Sequence, residues 1–170
     1  MLFQKTISKA NSPWMKSKQA GLSLESFVFY LVVAAIAIVA IITAYNKSMN
    51  GARVNRAVTE TGIIIAAASS WGGNDKTGIN MSKLCTGGYL TPEICGTANN
   101  GATGNPWGGP YEITTDTNTS RVKITLKKID KSVVTSVGDA LAKLSFDSCK
   151  LLENCATANK TENDTIYIIR

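Results

Sequence analysis

Residues 22–45 (LSLESFVFYLVVAAIAIVAIITAY) constrain this chain more than any other stretch. The run is long and apolar, with one acid, Glu25, near its start. At about 1.5 Å per residue, a helix of this length matches the roughly 30 Å hydrocarbon core of a bilayer. A carboxylate inside such a run is expensive, so it marks a functional position rather than an incidental one. The pattern points to a helix that waits in a membrane and later uses the same surface for packing. Its alanines and β-branched residues make a smooth surface suited to a bundle of like helices. No basic stop-transfer cluster follows it closely: Lys47 is isolated, and Arg53 and Arg56 come later.

Charge supports this order. The net charge is +6, but residues 1–21 hold Lys5, Lys9, Lys16 and Lys18 and no acid, so the leader alone carries +4. The remainder, with 14 basic and 12 acidic residues, is nearly balanced. A nucleic-acid-binding surface is therefore not expected. A basic leader that stays cytoplasmic and sets membrane orientation fits better. A secretory signal places its apolar segment before the cleavage point. Here the apolar segment follows the small residues Ala20 and Gly21, so cleavage there would remove the leader and keep the helix.

Four cysteines, Cys85, Cys95, Cys149 and Cys155, all follow the apolar run and so belong to the exported part. An even count in an oxidising compartment reads as disulfides. Short loops cost least to close, which favours Cys85–Cys95 and Cys149–Cys155 among the three pairings. Nine and five intervening residues do not resemble paired zinc knuckles, so no metal site is expected. The chain has no histidine. It also lacks a glycine-rich phosphate loop, and its cysteines are poor nucleophile candidates. These features point away from an enzyme, and no cofactor is expected.

The helix should continue beyond the membrane. Val54, Val58, Thr61, Ile65 and Ala68 recur at three- and four-residue spacings as one face, with a weak point at Gly51 and a stop at Trp71-Gly72-Gly73. Residues 72–110 read as a long irregular connection over the domain surface. Tyr111–Thr115 and Arg121–Ile129 read as a β-hairpin turning through residues 116–120. Asp130 is the expected N-cap of a helix over Lys131–Leu144 with Val133, Val137, Leu141 and Leu144 inward. Residues 145–163 read as loop, and Asp164–Arg170 as a buried closing strand. Trp107 reads as a core anchor where a loop meets the sheet. Four segments follow: leader 1–21, membrane or core helix 22–45, amphipathic half 46–71, and an α+β head 72–170.

Taken together, Ala20-Gly21, Leu22-Ser23-Leu24-Glu25, the apolar helix, Asn105-Pro106-Trp107-Gly108-Gly109 before a strand, and the C-terminal cysteines with a terminal strand resemble the type IVb branch of the type IV pilins. The long leader and the Asn-Pro-Trp-Gly-Gly segment look like conjugative thin-pilus members. The resemblance implies a pilin fold, a long N-terminal helix packed on an antiparallel sheet with disulfide-bonded loops. It implies cleavage by a prepilin peptidase between Gly21 and Leu22 and N-methylation of Leu22. The family places its glutamate at the fifth mature position, whereas Glu25 would be the fourth. A cut between Ala20 and Gly21 restores the fifth, while a small flexible residue suits the peptidase cleft and favours Gly21. Glu25 would register neighbouring subunits by pairing with the Leu22 amine. The family's C-terminal disulfide usually closes a wider loop, which keeps Cys85 with Cys149 or Cys155 open.

The implied life cycle is a prepilin in the inner membrane and then a helical homopolymer outside the cell. It would be built by an assembly ATPase and inner-membrane platform and pass through an outer-membrane secretin. Adhesion, aggregation and conjugative mating contact would all use the same subunit. The alternatives are a minor pilin or pseudopilin of a secretion system, or a non-polymerising membrane-anchored periplasmic binding protein.

Overall fold

The computed structural model describes residues 23–170. The cleavage and methylation positions, Gly21 and Leu22, lie outside them. Two compact units divide the chain, one ending at Ile42 and the other running Thr43–Arg170.

The described part of the first unit is helix. Helix α1 spans Leu24–Ser70. From Leu24 to Asn50 the chain has no glycine or proline, so nothing interrupts the backbone ladder. Ser23 starts it: its Oγ accepts from the Ser26 N–H at 3.2 Å. Large apolar side chains from Leu24 (80% exposed) to Tyr45 (63%) stand uncovered. The best 18-residue window has a mean hydropathy of 2.8 and none of it is buried, so the helix is long and apolar enough to cross a membrane.

The second unit has an α+β architecture. The second half of α1 leads into α2 (Met81–Thr86) and α3 (Pro92–Cys95). Strands β1 (Tyr111–Thr115) and β2 (Val122–Leu126), helix α4 (Val134–Ala142), a 3₁₀ turn (Leu152–Asn154), and strands β3 (Ala158–Glu162) and β4 (Thr165–Ile169) follow. The sheet order is β1-β2-β4-β3 with every pair antiparallel. Ile113 lies opposite Ile124, and Ile124 opposite Ile168, so one face is a continuous aliphatic surface. The Tyr111 hydroxyl reaches Glu60 on α1 from that face. A Cβ at Gly138 of α4 would sit 3.5 Å from Ile166 on the same face. Both helices therefore cover one side, and Glu112, Thr114, Lys123, Thr125 and Lys127 line the other.

Several sequence expectations shift. Residues 72–110 are not a plain surface connection: they form α2 and α3, and Ile79, Met81, Leu84, Leu90 and Ile94 are buried in the core. The short apolar spacings there were too sparse to reveal helices of six and four residues. Helix α4 starts at Val134, three residues after the expected Lys131. Asp130 caps a turn instead, its Oδ1 accepting from the N–H and hydroxyl of Ser132 at 2.9 and 2.8 Å. Residues 145–163 are not all loop, because Ala158–Glu162 forms edge strand β3. Only Ala158 of that strand is buried, so its sequence (ANKTE) carries no apolar alternation. The terminal strand is interior rather than closing, lying between β2 and β3, with Tyr167 and Ile169 only half-buried.

The helix face also turns. The buried positions of α1 are Ala57, Glu60, Thr61, Ile64, Ala67 and Ala68, while Val54, Val58 and Ile65 flank them half-buried. Of the expected stripe, Thr61 and Ala68 are buried and the other three residues flank the buried face, which also takes in Glu60.

Candidate functional site

The residues singled out by sequence fall into two places. In the first unit, Glu25 sits exposed in the first turn of α1, beside Ser26, Phe29 and Tyr30. An acid there complements the partial positive charge of a helix N-terminus. No described cation lies within salt-bridge distance of it. Its expected partner, the Leu22 amine, lies outside the described residues.

In the second unit the cysteines pair locally, Cys85 with Cys95 and Cys149 with Cys155. The wider pairings of Cys85 with Cys149 or Cys155 do not form. The first bond joins α2 to α3 within the core, where both cysteines are buried. The second closes the loop before β3, with Ser145 Oγ 3.3 Å from Cys155 Sγ. Among the described residues no group of three His, Cys, Asp or Glu side chains comes together as a metal site.

Two charged residues that no motif marks hold the helix to the head. Glu60, 6% exposed, accepts from the Tyr111 hydroxyl at 2.8 Å and from Arg56 Nε at 2.6 Å. A buried carboxylate is tolerable only when such partners satisfy it. Burial, and then the Glu60 charge, push the Tyr111 phenol far above its ordinary range. The hydrogen bond to Glu60, and then its charge, hold the Arg56 guanidinium above its already high value. The signal was present: Ala57, Glu60, Ile64 and Ala67 share one helical face, with Arg56 one turn before the acid.

Lys76, also 6% exposed, caps the other end of α1. Its Nζ donates to the carbonyls of Ala68, Trp71 and Ser69 at 2.6, 2.7 and 3.3 Å. A cation at a helix C-terminus meets both the orphan carbonyls and the dipole. Gly72 and Gly73, with φ of 67° and 61°, turn the chain back so that Lys76 can reach. The glycine stop is legible in sequence, but the lysine is one of 18 basic residues with nothing local to distinguish it.

The Asn-Pro-Trp-Gly-Gly segment is a hook onto the end of β2. Buried Asn105 donates Nδ2–H to the Lys127 carbonyl at 2.7 Å and accepts from the Trp107 and Gly109 amides, each at 2.9 Å. A Cβ at Gly109 would collide with the Lys127 carbonyl, so only glycine permits this approach. Trp107 packs half-buried against the core.

Compared with protein-family models, curated proteins and solved structures, the chain matches no family model, no curated protein and no solved structure.

Proposed function

We propose that this chain is a filament subunit of the type IVb pilin kind, which stands in a membrane as a precursor and then polymerises. One observation carries the reading: an uncovered apolar sleeve on α1 belongs to the same helix whose later turns are buried in a disulfide-stapled α+β head. So large an exposed apolar surface requires a partner phase, and a smooth Ala- and Ile-rich helix suits both lipid tails and the flanks of identical copies.

In this reading the leader is removed at Gly21–Leu22 by a prepilin peptidase, and the Leu22 amine is methylated. Glu25 then pairs with the amine of a neighbour. A subunit slipped along the bundle leaves a buried unpaired charge, which costs several kcal/mol, so the pair sets register. Extraction from the inner membrane falls to an assembly ATPase and platform, and export to a secretin. The head makes the outer surface of the extracellular filament.

Mass spectrometry of the protein purified from its own cells tests this. A mature chain beginning with methylated Leu22, abundant in sheared surface fibres, is expected. An intact Met1 on a chain that stays monomeric without detergent points instead to a membrane-anchored periplasmic binding protein. A processed chain scarce in fibres points to a minor pilin or pseudopilin.

A further inference from the structure

In the second unit a cleft of about 390 Å³ opens beside the start of β2, within the usual size range of small-molecule sites. Its charged side chains are Lys76, Arg121 and Arg170, with no Asp or Glu side chain among them, and Ile65, Val122 and Phe146 give it apolar walls. Lys76 has its donors committed to α1 carbonyls. The two guanidinium groups are not ion-paired: among the described residues neither has a carboxylate within salt-bridge distance.

Both arginines are also pre-set. The Arg121 guanidinium lies over the Phe146 ring, 3.7 Å from its centroid. Arg170 donates from a terminal nitrogen to the Ser145 carbonyl at 3.2 Å, and its main chain exchanges two hydrogen bonds with Val122 at 2.8 and 2.9 Å. A guanidinium already stacked or tethered loses less freedom on binding, and its planar fork matches a carboxylate or phosphate.

We propose that this cleft binds a small organic anion, with a carboxylate or phosphate held by Arg121 and Arg170 and an apolar ring or short chain resting on Ile65, Val122 and Phe146. The site does not depend on filament formation.

Isothermal titration of the full chain in detergent tests it, with phenyl phosphate and benzoate as probes and inorganic phosphate for comparison. Saturable one-to-one binding of at least one aromatic anion is expected, stronger than that of inorganic phosphate. Binding of benzoate alone assigns the carboxylate class, and of phenyl phosphate alone the phosphate class. Arg121→Gln and Arg170→Gln should each weaken it by about tenfold or more, since hydrogen bonds to charged groups are worth that much. Arg121→Lys, which keeps the charge but loses the fork, should recover only part. Lys160→Gln on β3 should leave affinity unchanged, and circular dichroism should show every variant folded. Absence of saturable binding by both aromatic probes overturns the proposal. So does binding indifferent to both glutamine variants, or a cleft that takes only acidic peptides.

Discussion

Tyr111 and Glu60 show how one hydrogen bond can tie a helix to a sheet. Tyr111→Phe removes the donor and leaves the buried Glu60 carboxylate with Arg56 alone. A loss of about 1.5–3 kcal/mol of unfolding free energy is expected by chemical denaturation. The same pair sets an alkaline limit. Folding raises the Tyr111 pKa, so the unfolded chain releases that proton first. Its contribution is intact below the ordinary tyrosine pKa of about 10 and declines as pH rises above it. Denaturation midpoints measured from pH 8 upward should fall above that point, and less steeply in Tyr111→Phe. Lys76 has an equivalent role at the helix end. Lys76→Met keeps the aliphatic stem but strips the ammonium from three carbonyls, and should cost about 1.5–3 kcal/mol. Hydrogen exchange at the last turn of α1 should quicken, and unchanged exchange there would refute the capping role.

Among the elements, glycines separate backbone needs from spare ones. Gly62 lies in α1 with nothing within 4 Å of where a Cβ would be. Gly62→Ala should therefore raise the head's stability by about 0.5–1 kcal/mol, read from the denaturant midpoint. Gly109→Ala should do the reverse, because its Cβ meets a backbone carbonyl that cannot swing away. Loss of the Asn105 hook would then loosen β1 from β2, visible as faster exchange along that pair. The two disulfides close loops of similar length, at sequence separations of 10 and 6. Chain entropy alone assigns each about 2–3 kcal/mol. Removing the buried Cys85–Cys95 pair with serines should cost more than removing Cys149–Cys155, because it also places two polar groups in the core.

For the whole molecule, the decisive question is what covers the sleeve from Leu24 to Tyr45. Glu25→Ala should leave leader removal intact and sharply reduce sheared fibres, as seen by gel and electron microscopy. Normal fibres from this variant would remove the registration role from Glu25 while leaving the sleeve's partner phase to be explained by packing alone. The outer face of the sheet carries Lys123, Lys127 and Glu112 beside half-buried Tyr167 and Ile169, so it is far less apolar than the sleeve.

Legibility followed the range of the interaction. The apolar run, the glycine stop at residues 72 and 73, the β1–β2 hairpin and the short disulfide loops were all readable, because periodicity, turn chemistry and loop closure act between near neighbours. Edge strand β3 was not, since its sheet bonds come from the backbone and all its side chains but Ala158 face water. The inward face of α1 was legible only in part: Thr61 and Ala68 lie on the expected stripe, but Glu60 is buried between Arg56 one turn before it and the hydroxyl of Tyr111, 51 residues on. Nor did the sequence announce that Lys76 would be buried on the carbonyls of an earlier helix. Local chemistry thus determined the membrane-length helix and most elements. The choice of which charges to bury waited on tertiary structure, because a buried charge is stable only where distant parts of the chain bring partners to it.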